Sequence, residues 1–124
     1  MVSTQHIYLI CSRHINILIN NASVHCVGPL AKLPLALLQS TFETNAYDLM
    51  RVIKEVAPHM ISSANGKIMY IGSITALTPG PWARAYAASK AAVHSLSDTL
   101  GVELKPFGID VITVALGAIK SSYN

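Results

Sequence analysis

The chain has 124 residues, of which 52% are hydrophobic and 12% charged, and its net charge is +3. That balance excludes a disordered chain and suits one domain with a buried α/β core. The small, scattered excess of Lys and Arg argues against a nucleic-acid partner, and no stretch reaches the ~18 apolar residues of a membrane span. His6 and Arg13-His14 interrupt the apolar run at the start, so it does not read as a signal peptide.

In chain order, His6 to Cys11 reads weakly as a strand, and the alternation of Ile15, Ile17 and Ile19 with Asn16 and Leu18 predicts a short strand ending at Asn20-Asn21-Ala22. Residues Ala36 to His59 form a long helical pattern containing Asn45, with Ser40-Thr-Phe-Glu43 as a capping box near its start. After the turn Ala64-Asn-Gly66, the apolar run Lys67 to Ile71 predicts a buried strand, with Ser73 just past its end. Ala83 to Lys105 is a second long helix stopped by Pro106 and Gly108, and Asp110 to Leu116 is a third strand, also buried. This order predicts a parallel sheet whose right-handed crossovers place both helices on one face. The opposite face is then apolar and bare, the strand at Ile15 is an unpaired edge, and an isolated monomer is marginal or aggregation-prone.

Tyr86 and Lys90 lie one helical turn apart in Ala-Tyr-Ala-Ala-Ser-Lys-Ala-Ala, so a helix puts a phenol beside an ammonium. A free phenol titrates near ~10, and bringing one to about 7 takes roughly 4 kcal/mol of preferential stabilisation of the phenolate. A solvated ion pair supplies only ~0–1 kcal/mol. The pair therefore works only in a water-poor pocket, helped by further positive charge such as an oxidised nicotinamide ring. From the end of its strand, the Ser73 hydroxyl can bond the carbonyl oxygen that Tyr86 protonates. Tyr-x-x-x-Lys alone is a weak signal. Its conjunction with Asn20-Asn21-Ala22, Asn45 and Ser73, in that order on alternating strands and helices, is a specific one.

At these residues the chain resembles the short-chain dehydrogenase/reductase family, from Ile15 to Asn124. Cys26-Val-Gly-Pro-Leu30, Gly72 to Trp82, Lys90 to Leu100 and Gly117-Ala-Ile-Lys-Ser121 resemble more narrowly the NADPH-dependent 1-acyldihydroxyacetone phosphate reductase-like group. The resemblance implies a partial Rossmann-like, doubly wound parallel fold and NADP(H) as cofactor, with NAD(H) the alternative. It implies Tyr86 as proton donor, Ser73 orienting the carbonyl, Lys90 holding the nicotinamide ribose, and Asn45 anchoring a water in the proton relay. Asn20 and Ala22 would line the cofactor near the adenine ribose, and Ile119 would meet the carboxamide end. The implied substrate is a small or lipid-like carbonyl compound. Homo-oligomers would form through the helices at 36–59 and 83–105, and the implied location is intracellular, cytoplasmic or peripheral to endoplasmic reticulum or lipid droplets.

Departures from the family pattern are Ser23 in place of a glycine, Leu116 in place of a proline before Gly117, and Gly101 inside the catalytic helix. Members resembling this chain carry a first βαβ unit with a glycine-rich phosphate turn, whereas Met1 to His14 contains no glycine. The expectation is an incomplete domain over 1–124, lacking that unit and catalytically silent alone. The alternative is a silent chain that keeps the helix-helix interaction surface. Cys11 and Cys26 suit packing and reduced thiols, and His25 and His94 lack carboxylates at ligand spacing, so no metal is expected. Trp82 reads equally as core or as a wall of the substrate pocket.

Overall fold

The computed structural model describes residues 14–78 and 80–118; the reading of a strand at His6 to Cys11, Cys11 itself and Ile119 lie outside them. Three parallel strands, β1 (Ile17–Asn20), β2 (Gly66–Ser73) and β3 (Ile109–Leu116), form a sheet in the order β1-β2-β3. Between β1 and β2 the chain runs through α1 (Leu35–Phe42), a π-helical turn (Glu43–Tyr47) and α2 (Asp48–Ser63), and α3 (Arg84–Leu104) connects β2 to β3.

The three strands and α3 are those the sequence predicts, with shifted ends, whereas the single long helix expected over Ala36 to His59 is divided into α1 and α2 by the π-helical turn. Helix α1 starts after Pro34, whose carbonyl accepts the N–H groups of Leu37 and Leu38. The expected capping box is wrong, because Ser40 lies inside α1 and its hydroxyl donates back to the Leu37 carbonyl at 3.1 Å. Proline supplied the start instead, through its preset φ. The helix also outruns His59 to Ser63, with Pro58 inside it. Leu49, Val52, Ile53, Val56 and Met60 recur at helical spacing and are all buried, so the packed stripe outweighs the one hydrogen bond that Pro58 cannot make. At the end of α3 a 3-10 turn (Lys105–Phe107) leads to Gly108 at φ 76°, where a Cβ would sit 2.8 Å from the Ala64 carbonyl oxygen. Only glycine fits both the backbone and the space.

Helix α3 packs on β2 and β3 and touches α1 and the π-helical turn, so both crossovers cover one face. Ile68, Tyr70, Ile109 and Val93 join the α2 stripe there in a single core. On the other face Ile17 and Ile19 are 60% and 57% exposed and Ile112 is 41% exposed. The alternation that marks β1 thus points outward, while Leu18 packs against the core. Both sets are apolar because parallel strands are built to be covered on two faces.

Two buried polar atoms have no partner among the described residues: Asn20 Nδ2 and the Tyr70 hydroxyl, on strand positions paired in register. Burial pushes the Tyr70 phenol above its ordinary titration range. Its folded-state pKa is raised, so the associated stability is complete below the unfolded value of about 10 and is lost as pH climbs past it. Tyr70→Phe should raise stability by about 1 kcal/mol at neutral pH, since a stranded hydroxyl is removed, and should flatten the alkaline loss. Urea midpoints at neutral and alkaline pH measure both, and a lower midpoint at neutral pH would show that the hydroxyl is satisfied.

Candidate functional site

Ser73 is the last residue of β2. Its Oγ accepts the Thr75 N–H at 3.2 Å and shares a hydrogen with Thr75 Oγ1 at 2.8 Å, capping a 3-10 turn (Ile74–Ala76). Its own N–H donates to His94 Nε2 at 3.2 Å. The imidazole lies directly on the Gly72 main chain, where any Cβ would collide with Nε2.

Tyr86 and Lys90 occupy the first turns of α3. Lys90 is 4% exposed, and its Nζ donates to the Ile71 carbonyl at 2.9 Å, two residues before Ser73. The same Nζ lies 5.8 Å from the centre of the Tyr86 ring. Ser73 and Lys90 are thereby gathered at the carboxyl end of β2 with Tyr86 alongside, where open parallel sheets bind ligands. No carboxylate pairs with Lys90 among the described residues, and burial lowers its pKa. The ammonium is therefore a desolvated cation beside the Tyr86 ring. No hydrogen bond joins the Ser73 and Tyr86 hydroxyls among the described residues; such bonds tighten when substrate is present.

Asn45 sits in the π-helical turn, a distortion that re-aims one side chain without ending a helix. Its Oδ1 accepts the Val24 N–H at 2.8 Å, and Nδ2 donates to the Val24 carbonyl at 3.0 Å and to Ser89 Oγ at 2.9 Å. Ser89 Oγ in turn donates to the Tyr86 carbonyl at 2.7 Å. The side-chain amide is thus engaged with the protein at both ends and clamps the segment after β1 to the start of α3. Asn20 ends β1 with its amide buried, and Ala22 lies exposed in the following loop.

Trp82 is 58% exposed at φ 69°, so it is a surface residue of the turn before α3; its carbonyl accepts the Gly28 N–H at 2.9 Å. Among the described residues, no three His, Cys, Asp or Glu side chains cluster to hold a metal, and no helix is long and apolar enough to cross a membrane. A groove of about 1000 Å³ lies between the second half of α3 and β3, lined by Ser97, Gly101, Val102 and Thr113. None of the expected catalytic residues reaches it. Sequence reasoning missed Ser89 and Thr75, although Ser89 at one turn from Tyr86 was a usable signal.

A family model described as short chain dehydrogenase matches residues 5–124. The chain belongs to the short-chain dehydrogenase family. Retinol dehydrogenase 8 of Bos taurus is 35% identical over 110 residues, covering 89% of this chain and 35% of that protein. Among solved structures, ElxO with NADP bound superposes at a TM-score of 0.84 with 29% identity, over 87% of this chain and 44% of that one. Xylitol dehydrogenase with NAD+ bound superposes at 0.85 with 26% identity, over 89% and 43%. The short-chain dehydrogenase segment described here spans little more than a third of its curated relatives. Its fold is the family's Rossmann-like sheet in part, and the two solved relatives hold NADP and NAD+ respectively.

The residues present suit the reactive end of such a cofactor. Lys90 spends one hydrogen on Ile71, which leaves donors for a ribose hydroxyl. They do not supply a phosphate cradle, because no two glycines in the chain stand at the spacing of a G-x-G-x-x-G turn.

Proposed function

We propose that this chain is the catalytic portion of an NADP(H)- or NAD(H)-dependent carbonyl reductase. The observation that carries the reading is the buried, carboxylate-free Lys90 ammonium beside the half-buried Tyr86 phenol. Tyr86 donates the proton to the carbonyl oxygen, and Lys90 stabilises the phenolate left behind. Ser73 orients the same oxygen by turning its hydroxyl from Thr75 toward substrate, at the cost of the part-buried hydrogen bond to Thr75 Oγ1. Asn20 and Ala22, with Ile119 beyond the described residues, would line the cofactor, which when bound would supply the hydride. Asn45 acts by holding the Val24 main chain directly and the Tyr86 carbonyl through Ser89.

Exposed Ile74, Leu77 and Trp82 around the loop after Ser73 make an apolar approach to the site. That rim supports a lipid-like ketone such as 1-acyldihydroxyacetone phosphate, and the bovine relative named for retinol points to the same polarity of substrate. A second reading, an interaction module, draws on exposed Leu35, Leu37 and Tyr47 on the first helical arm and Val102 on α3.

The deciding experiment joins the residues of ElxO that precede its match to this chain ahead of β1 and follows NADPH oxidation with a lipid ketone. Tyr86→Phe should lower kcat about 10²–10⁴-fold while leaving NADPH affinity nearly unchanged. Turnover that survives Tyr86→Phe sinks the reductase reading.

A further inference from the structure

We propose that His25 is a positioning residue for Tyr86: its imidazole stacks on the phenol and selects the ring orientation from which the proton is delivered. The inference rests on the reading of Tyr86 as proton donor and adds a residue to that site.

The two rings lie 4.3 Å apart, centre to centre, with an interplanar angle of 21°. His25 is exposed, and neither ring nitrogen makes a hydrogen bond among the described residues. No polar partner among the described residues holds the ring, and the aromatic face it lies on is that of Tyr86. Tyr86 is in the complementary situation, half-buried with its hydroxyl making no hydrogen bond among the described residues. A phenol so placed on the first turn of a helix has more than one staggered rotamer open to it.

The main chain around the pair is locked as if to bring these rings together. Val24, the residue before His25, is clamped at both its N–H and its carbonyl by Asn45. Asn45 also binds Ser89, which binds the Tyr86 carbonyl, closing a hydrogen-bonded path from the His25 backbone to the Tyr86 backbone. At the other end of the loop, Cys26 is buried and the Gly28 N–H bonds the Trp82 carbonyl in the turn that opens α3. With both backbones fixed, the stack sets the one freedom that remains, the Tyr86 side-chain torsions. Aromatic pairs of this geometry shift a two-rotamer population roughly two- to tenfold. A rate proportional to the competent rotamer shifts by the same factor.

The test labels the protein with 3-fluorotyrosine and assigns the Tyr86 fluorine line by its loss in Tyr86→Phe. His25→Ala should move that line toward the free amino acid, leave the other tyrosine lines in place, and be rescued by His25→Phe, which restores a stacked ring without nitrogens. In the ElxO chimera, His25→Ala should lower kcat two- to tenfold at constant NADPH KM, with recovery in His25→Phe. A Tyr86 line unmoved by His25→Ala overturns the proposal. So does displacement of every tyrosine line, which would make His25 a support of the fold. The fluorine readout needs no turnover, so it decides the stack even if Tyr86→Phe keeps its activity and the reductase reading fails.

Discussion

Purified as the 124-residue chain, the protein is expected to show no saturable NADPH fluorescence change and no NADPH oxidation with a lipid ketone. The reason is a division of labour within the cofactor site. Lys90 and Tyr86 sit at the carboxyl end of β2 and, on the reductase reading, would meet the reactive end of the cofactor, where each hydrogen bond to a charged group contributes roughly 1.5–3 kcal/mol. The pyrophosphate is normally held by several backbone N–H groups at a helix start opened by a glycine-rich turn. Here α1 opens on Pro34, whose nitrogen has no hydrogen, and α3 opens without glycine spacing of that kind. Losing about 4–6 kcal/mol of such contacts weakens binding by about 10³–10⁴-fold, enough to move a micromolar cofactor to the millimolar range. Hydride transfer also needs a near-attack geometry that a loosely held ring rarely adopts. Measurable turnover that vanishes in Tyr86→Phe would defeat this expectation and show that a cradle forms by a route the glycine pattern does not reveal.

Replacing Asn45 by alanine should cost about 2–4 kcal/mol of stability, one of the larger single effects available in this chain. The side chain is 1% exposed and makes three hydrogen bonds, two to the Val24 main chain and one to Ser89. Each contributes about 1 kcal/mol when made, and the groups left behind incur a desolvation penalty where water cannot reach them. Asn45→Asp should be no milder, because it keeps the acceptor for the Val24 N–H but puts a buried carboxylate against the Val24 carbonyl. The expected readout is a lower urea midpoint at unchanged slope. A loss under about 1 kcal/mol in both variants would show that water replaces the clamp. The fluorine line of Tyr86 should move as well, since its backbone hangs from the same network through Ser89.

Much of the architecture was legible because it rests on local periodicity. Runs such as Lys67 to Ile71 and Asp110 to Leu116 are apolar on both faces, which only a covered parallel strand requires, and the helices between them force right-handed crossovers. Tyr86 and Lys90 were legible for a similar reason, since one turn of helix fixes their proximity wherever the helix packs. The π-helical turn was not, because a π-bulge depends on tertiary hydrogen bonds, here those of Asn45 to residues far away in the chain, and not on any local preference. The capping box failed at Ser40 because its pattern is short and Pro34, upstream, starts the helix first.

By itself the sequence determined the order of strands and helices, the shared face of the two crossovers and the pairing of a phenol with an ammonium. Those follow from repeat periods of two and 3.6 residues and from chain handedness, which hold in any packing. Only the tertiary structure decided that Lys90 is desolvated against the Ile71 carbonyl, that Asn45 closes on Val24 and Ser89, and that His25 lies on Tyr86. These contacts join residues 19, 21, 44 and 61 positions apart, and no local term in the chain carries information about which partner a buried polar group will find.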